Sequence, residues 1–411
     1  MAMNEQQALG WLGRKIGWGF APGQWAAWGA LGVDGVIDRL VDPDAHDVPA
    51  RPDPFAAIEI DPENAQRALR AGVGTWLENL VASPRPLESY MEFFWSDYFA
   101  VSARSVRPTY LMFDHMNLLG RHGLGNFAEL LTDITTDAAM LVFLDGASSS
   151  AGNPNENFGR ELLELYSVGV GNFSEDDVKA AATALTGWQV RRRNPVPRYR
   201  PNRHDDTPQT LLGVDGVHDV DTVIAAVVAD PATPRRVVSK LATAVLGLEH
   251  DQALVAPLAD SFADDLEIRP VVRALLELGV NGAATPAIVE PLAWLTTALR
   301  FTGTLPRQGV LRDYFRTSGQ IPMFPPNVGG FPEPTAYLST SATIARFNLS
   351  SELATRARVQ AVDATADVDE LAQTLGLVDG FTAASRDAIG ALPAGPGRIA
   401  ASLASPDLLV A

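Results

Sequence analysis

The sequence contains no cysteine, which excludes disulfides, thiolate metal sites and cysteine nucleophiles. Positive charge is also scarce, because 32 Lys and Arg residues face 49 Asp and Glu residues, for a net charge of -17. A phosphate backbone is bound by net positive surface, so this balance argues against nucleic acid as a main partner. The chain has 411 residues, 46% of them hydrophobic, enough to bury a large core in one or two closely packed domains.

Long apolar runs are missing too. No window approaches the roughly 18 apolar residues of a membrane span. Segment 1–20 lacks the basic start, apolar run and small-residue cleavage site of a secretory signal. We therefore expect a cytoplasmic protein with no membrane span. The sequence has no Gly-rich phosphate loop, dinucleotide fingerprint, nucleophile elbow or zinc-protease motif, which narrows the enzyme classes.

Helical periodicity runs through almost the whole chain. The exception is Val190 to Gly213, where prolines interrupt alternating residues and indicate a β-hairpin-like excursion after Trp188. We predict a mainly α fold, a large multi-helix assembly with this small hairpin.

Two helical units are expected, packed as one body. The N-terminal unit, 1–215, holds the hairpin, and the C-terminal unit, 216–411, holds a Pro/Gly loop at 319–341. A loop this long inside a compact domain is usually functional or an interaction segment.

The stretch Asn153 to Val190 reads as two helices joined by a glycine elbow. Helical spacing gives its first helix an apolar stripe and a wholly polar one. The polar stripe consists of Asn157, Arg160, Glu161 and Glu164. It is either a solvated face, with ion pairs such as Glu156 to Arg160, or a buried polar network.

Two glutamates on one helix face can bind a metal or act as an acid/base pair. Glu161 and Glu164 are therefore candidate catalytic residues, and Asn157 and Arg160 candidate ligand-binding residues. No metal is identified by this spacing.

A second candidate region is rich in arginine. It contains Arg191, Arg192, Arg193, Arg198, Arg200 and Arg203 and is followed by His204, Asp205 and Asp206. Arginine forks match carboxylate, sulfate or phosphate groups, so Arg203 is a candidate ligand-binding residue for an anion. His204, oriented by Asp205, is the candidate acid/base of this site. Alternatively, the arginines pair with this protein's own acids on an exposed loop.

Several segments carry a resemblance to a known family. They are RHGLGNF from Arg121, AMLVFLDGA from Ala139, the stretch from Asn153 to Val190, HDDTPQTLLG from His204, PPNVGGFP from Pro325 and STSATIARFN from Ser339. In this order they resemble the bacterial domain-of-unknown-function family 1800. The resemblance implies a mainly helical, often exported protein without established activity. It also implies a possible protein partner, the alkaline-phosphatase-like family often encoded beside its members.

The chain departs from this family at two motifs. The milder change is Phe331, which keeps an aromatic residue where the family's PPNVxGW motif has tryptophan. Members often read Phe-Trp-His-x-His-Phe where this chain has Ser96, Asp97 and Tyr98 between Trp95 and Phe99. If the family uses the two histidines for a metal or for proton transfer, this chain has altered or lost that step.

Two hypotheses follow for function. In the first, the chain is an acid/base or hydrolytic enzyme, with or without a metal, acting on an anionic ligand. Its pocket joins the polar helix stripe to His204, Asp205 and Arg203, with Asn327 added from the Pro/Gly loop. In the second, the chain is a non-catalytic binding or assembly protein whose polar cluster is structural. The cofactor, the substrate and the oligomeric state stay open.

Overall fold

Helices make up most of the computed structural model, which describes residues 2–59, 64–191, 194–356 and 366–411. The first nine are α1 (Glu5–Lys15), α2 (Gln24–Val41), α3 (Ala65–Ala82), α4 (Pro86–Tyr98), α5 (Leu111–His122), α6 (Phe127–Thr136), α7 (Ala138–Phe143), α8 (Glu156–Glu161) and α9 (Glu175–Ala184). The others are α10 (Val220–Ala229), α11 (Ala232–Leu246), α12 (Gln252–Asp265), α13 (Ile268–Leu278), α14 (Pro291–Thr302), α15 (Gln308–Ser318), α16 (Thr340–Arg356), α17 (Val368–Thr374), α18 (Ala383–Gly390) and α19 (Pro396–Leu403). The predicted mainly α fold is confirmed.

Capping side chains set several helix starts. Asn4 and Gln7 form a capping box at α1, and Ser174 with Asp177 forms another at α9. Pro86 and Pro291 occupy the first turns of α4 and α14, where no backbone donor is lost. Because these signals lie within a few residues of each helix start, the helix starts can be predicted from the sequence.

Two small antiparallel hairpins follow α9. The first joins β1 (Trp188–Arg191) to β2 (Asn194–Tyr199), with Trp188 opposite Tyr199. The second joins β3 (Gln209–Leu211) to β4 (Val214–Val217). The predicted hairpin after Trp188 is therefore confirmed, and the structure adds a second one that the sequence did not indicate.

The helix that opens the stretch Asn153 to Val190 is not uniformly α-helical. α8 passes into a π-helical turn, Leu162–Tyr166. The Ser167 hydroxyl donates to the Leu162 carbonyl over 2.7 Å, which satisfies an acceptor at this turn. The wider π turn changes where side chains after Glu161 point, so the stripes predicted for an ideal helix hold only for its first part.

Side chains from both predicted units share one hydrophobic core. The Met3 backbone donates to the Val280 carbonyl over 3.3 Å, and the Arg300 guanidinium donates to the Val81 carbonyl over 2.8 Å. The division at residue 215 stays a prediction. In the described part of the chain, no helix is long and apolar enough to cross a membrane.

Helix α4 lies at the centre of this core. Trp95 and Phe99 are fully buried. Glu92 is buried as well, pairs with Arg51 and accepts a 2.7 Å hydrogen bond from the Trp76 indole. The last turn of α4, with Asp97, remains partly accessible. This anchoring fixes where Asp97 lies.

Candidate active site

The predicted polar stripe lies mostly at the surface. Asn157 is exposed, whereas Glu161 and Glu164 are partly exposed. Arg160 forms a bidentate ion pair with Glu175 of α9, with N–O distances of 2.8 and 2.6 Å. The ion pair between Arg160 and Glu156 that the spacing suggested is not formed among the described residues. Burial raises the pKa of Glu161, and Glu164 raises it further. Arg160 thus ties α8 to α9.

His204 and Asp205 contact Thr186 and not the polar stripe. The His204 Nδ1 atom is 3.0 Å from the Thr186 carbonyl, and the Thr186 hydroxyl accepts the Asp205 backbone N–H over 2.8 Å. Hydrogen bonds from Thr207 lower the pKa of Asp205. Arg203 donates to the Ser148 carbonyl over 2.9 Å. These bonds fix the chain after the first hairpin.

The other arginines of this region test the alternative hypothesis, in which they lie on an exposed loop and pair with the protein's own acids. Arg192 and Arg193 lie outside the described residues. Arg191 donates to the Gln189 side chain over 2.8 Å. Within the described ranges, no carboxylate forms an ion pair with Arg191, Arg198, Arg200 or Arg203.

Asn327 turns its side chain to its own loop, where it accepts the Gly329 backbone N–H over 2.8 Å. Among the residues that the structure describes, no side-chain hydrogen bond or ion pair joins any two of the eight predicted site residues. The catalytic and ligand-binding roles of these residues stay predictions.

The two residues that stand where the family often has histidines serve the backbone. The Ser96 hydroxyl donates to the Phe93 carbonyl over 2.7 Å. The Tyr98 hydroxyl donates to the Tyr166 carbonyl over 3.2 Å, and Arg236 donates to the neighbouring Leu165 carbonyl over 3.2 Å. The end of the π turn leaves carbonyls without helical partners, and these side chains supply donors. Tyr98 therefore connects α4 to the stretch beginning at Asn153.

Asp97, between those two residues, has a different environment. Its carboxylate accepts the Phe331 backbone N–H over 2.6 Å. Gly330 is required beside it, since a Cβ there would lie 2.5 Å from the Asp97 Oδ1 atom. Burial raises the pKa of Asp97 to about 6, although the Phe331 N–H and Lys240 oppose the rise. The Pro/Gly loop is thus closed onto the end of α4.

A second carboxyl group, Glu290, is influenced electrostatically by Asp97. Glu290 directly precedes α14 and accepts a hydrogen bond from the Gln320 amide, whose own carbonyl oxygen accepts the Leu292 backbone N–H over 2.8 Å. Burial raises the pKa of Glu290 to about 7, and the negative charge of Asp97 adds to the rise. Glu290 nevertheless keeps some accessible surface, as does Asp97. Both carboxyls are therefore largely desolvated and yet partly accessible.

Two polar groups beside these carboxyls have no partner. The Tyr337 hydroxyl and the Trp18 indole N–H are buried without a hydrogen bond among the described residues. The pKa of Tyr337 is raised by burial and by both Glu290 and Asp97, so the hydroxyl lies within electrostatic range of both groups. Trp18 packs on Tyr90, whose pKa Glu290 also raises. A buried donor without an acceptor costs about 1–3 kcal/mol, so each of these two donors could serve an acceptor from outside the described residues.

Lys15, the last residue of α1, completes the group. Burial lowers its pKa to about 8, and Glu290 opposes the decrease. Its amine has no hydrogen bond or ion pair in the described part of the chain. We call Lys15, Trp18, Asp97, Glu290 and Tyr337 the central crevice. It combines two carboxyls with raised pKa values, an amine with a lowered pKa, and two donors without a partner among the described residues.

The histidines of α5 lie elsewhere. His115 Nδ1 is 2.9 Å from Asp137, and His122 Nε2 is 2.9 Å from Asp133. Both aspartates line a separate surface pocket of about 540 Å³. No group of three or more His, Cys, Asp or Glu side chains among the described residues is arranged to hold a metal ion.

The sequence did not indicate that Asp97, Glu290, Lys15 and Tyr337 belong to one site. Glu290 before Pro291 looks like the ordinary residue preceding a helix, and Lys15 looks like a cation placed at a helix C-terminus. One signal was available. Phe331 lies in a motif that carries the family resemblance, Asp97 lies in the motif where the chain departs from the family, and these two motifs meet in space.

Comparison with known proteins gives a family and no activity. No curated protein and no solved structure shows significant similarity to the chain. Residues 11–409 match the family described as "Protein of unknown function (DUF1800)". Since this match spans nearly the whole chain, the protein belongs to the DUF1800 family.

Proposed function

We propose that the protein is an acid/base enzyme whose reaction takes place in the central crevice, with Asp97 and Glu290 as its two carboxyl groups. The observation that carries the proposal is that Glu290 and Asp97, both partly accessible, both raise the pKa of the buried Tyr337 hydroxyl, which has no hydrogen bond among the described residues. The two carboxyls come from distant parts of the chain and are both held by defined donors. Such an arrangement is costly for stability and is expected where chemistry requires it.

Each group has a role that follows from its surroundings. Glu290 carries the proton, because its pKa of about 7 lets it give and accept protons near neutrality. Asp97, held by the Phe331 N–H, is the second carboxyl and titrates below Glu290. Tyr337 keeps its proton and donates a hydrogen bond to an oxygen that gains charge during the reaction.

The anionic ligand expected from the sequence also fits this location. Glu290 raises the pKa of Lys15 and Lys240 lowers the pKa of Asp97, so each carboxyl has one cation within electrostatic range. An anionic substrate group between them is attracted, while the carboxyls act on the bond beside it. Hydrolysis and proton abstraction are both within the chemistry of this set.

The test compares matched carboxyl variants. Wild-type protein, Glu290→Gln, Asp97→Asn and Glu161→Gln are assayed on p-nitrophenyl acetate, p-nitrophenyl phosphate and p-nitrophenyl glycosides. A positioned acid/base group contributes about 10²- to 10⁴-fold, so Glu290→Gln and Asp97→Asn should lose at least about 100-fold of any turnover. Glu161→Gln, which keeps the crevice intact, should stay near the wild-type rate.

Two results would count against the proposal. If Glu161→Gln loses turnover and Glu290→Gln retains it, the acid/base site is the polar stripe of α8. If the wild-type protein turns over none of the probes, and Glu290→Gln and Asp97→Asn change only its stability, the chain is a binding or assembly protein with structural carboxyls.

A further inference from the structure

The surface pocket of about 540 Å³ beside α5 shares no described residue with the central crevice. It is built by α5, by the junction of α6 and α7, and by strand β2 of the first hairpin. Its apolar lining comes from Leu111 and Leu118 of α5, Ala138 of α7, and Val196 and Pro197 of β2. A cavity of this size, with an apolar lining and a few polar groups, is the usual form of a small-molecule site.

The polar lining of this pocket is acidic. It consists of Tyr110, Thr136 and three aspartates, Asp114, Asp133 and Asp137. None of the described residues that line the pocket is a lysine, an arginine or a histidine. The pocket therefore favours a ligand with positive charge.

Asp137 is the most deeply buried of the three carboxyls, with 8% of its surface exposed. Its Oδ2 atom accepts the Met140 backbone N–H over 2.9 Å and lies 2.9 Å from His115 Nδ1. These two contacts fix the side chain. Its Oδ1 atom has no hydrogen bond among the described residues. Because a buried acceptor without a donor is costly, this oxygen suits a donor bound in the pocket.

Asp114 is the most accessible of the three aspartates. Its carboxylate forms no hydrogen bond or ion pair in the described part of the chain. Partial burial raises its pKa, and the negative charges of Asp137 and Asp53 add to the rise, while Arg121 opposes it. Asp114 and Asp137 thus repel each other, and a cation between them relieves this repulsion.

We propose that this pocket binds a small organic cation, a primary ammonium on an apolar body, with the ammonium between Asp114 and Asp137 and the body against α5 and β2. The inference goes beyond the proposed function, because it concerns a second site and a ligand of the opposite charge. An ammonium has three donors, which suit the free Oδ1 atom of Asp137 and the unpaired Asp114 carboxylate. The aromatic face of Tyr110 adds a further attraction for a cation.

Three probes of similar size separate charge from shape. Phenethylamine carries an ammonium, 2-phenylethanol is neutral and phenylacetate is an anion. Their dissociation constants are measured on the whole chain by isothermal titration calorimetry near neutral pH, in about 0.15 M salt, where diffuse attraction to an acidic surface is screened. Charge-assisted hydrogen bonds are roughly twice as strong as neutral ones, so phenethylamine should bind at least about tenfold more tightly than 2-phenylethanol. Phenylacetate should not bind.

A matched pair of variants locates the binding. Asp114→Asn keeps the size of the side chain and removes its charge, so it should weaken phenethylamine binding at least about tenfold and leave 2-phenylethanol unchanged. Since Asp114 has no partner to lose, this variant should unfold in urea like the wild type. Asp34→Asn, at an exposed position within α2, is the control and should leave every dissociation constant unchanged.

Three results would overturn the inference. Equal affinity for phenethylamine and 2-phenylethanol would contradict a site for a cation. Equal effects of Asp114→Asn and Asp34→Asn on phenethylamine would place the binding outside this pocket. No binding of phenethylamine up to about 10 mM would mean that the pocket is not a site for this class of ligand. None of these results depends on the assays of Glu290→Gln and Asp97→Asn, so this inference and the proposed function fail separately.

Discussion

The Asp97 carboxylate accepts a hydrogen bond of 2.6 Å from the backbone N–H of Phe331, 234 positions further along the chain. This bond joins the last turn of α4 to the Pro/Gly loop. The loop in turn leads to Tyr337, so the bond helps to set the distance between a carboxyl and a free hydroxyl. Substitutions at the contacts around this bond test the relationship.

Replacing Gly330 should disturb the crevice. Gly330 has φ of +90°, and an added Cβ would meet the Asp97 Oδ1 atom at 2.5 Å and the Asp97 carbonyl at 2.8 Å. Gly330→Ala therefore combines backbone strain of about 1–2 kcal/mol with displacement of Asp97. Gly213→Ala is the control, since its φ is +79° and no heavy atom lies within 4 Å of the new Cβ. Equal losses in urea unfolding would show that the Asp97 contact is unimportant.

Tyr98 should matter more for stability than Ser96. Tyr98→Phe removes the donor to the Tyr166 carbonyl and leaves that acceptor poorly satisfied, at a cost of about 1–2 kcal/mol. Ser96→Ala removes only a bond within its own helix turn and should change the free energy of unfolding by less than about 0.5 kcal/mol. The comparison is made by chemical denaturation. The reverse order would contradict a bridging role for Tyr98.

Glu92 should be the most sensitive carboxyl for folding. Glu92→Ala leaves the Arg51 charge and the Trp76 N–H without their partner in the core, at a cost of about 3–5 kcal/mol. Glu88→Ala, on the same helix, breaks a partly exposed pair with Arg85 at 3.1 Å and should cost about 1 kcal/mol or less. Thermal unfolding of both variants checks this. A small effect at Glu92 would mean that α4 is not anchored by this pair.

Much of the fold was predictable because its signals are local. Helical periodicity, the Ser174 capping box and the alternating residues after Trp188 act over a few positions, and the structure has the corresponding elements. The π turn after Glu161 was not predictable, because an α-helix and a π turn share nearly the same sequence preferences. Arg160 also illustrates the limit, since its partner Glu175 comes from the next helix and not from its own.

The central crevice could not be predicted from the sequence, for a different reason. Burial by distant parts of the chain is what shifts the pKa of Asp97 and of Glu290, and no local pattern records it. Polar residues that cluster in the sequence, such as those from Asn157 to Glu164, indicate a candidate site. The crevice instead collects single polar residues from mostly apolar surroundings.

The stability of Glu290→Gln should depend on pH. The pKa of Glu290 is raised from 4.5 to about 7 on folding, so between these values the folded protein holds a proton that the unfolded chain has lost. The free energy of unfolding of the wild type therefore falls as pH rises through this window. Glutamine does not titrate, so the variant should gain on the wild type between about pH 5 and pH 8, by at most about 3 kcal/mol.

Urea unfolding at both pH values measures this gain. Glu249→Gln, at an exposed position, serves as the control and should show little change. A variant that is no better at the higher pH would mean that Glu290 carries no burial penalty.

The most direct measurement is a ¹³C NMR titration of the side-chain carboxyls, with Glu290→Gln and Asp97→Asn used for assignment. The pair should titrate with apparent pKa values of about 7 and about 6, and Asp97→Asn should lower the Glu290 midpoint because a like charge is removed. If both carboxyls titrate at their ordinary values of 4.5 and 3.8, and neither responds to loss of the other, Asp97 and Glu290 do not form a coupled acid/base pair.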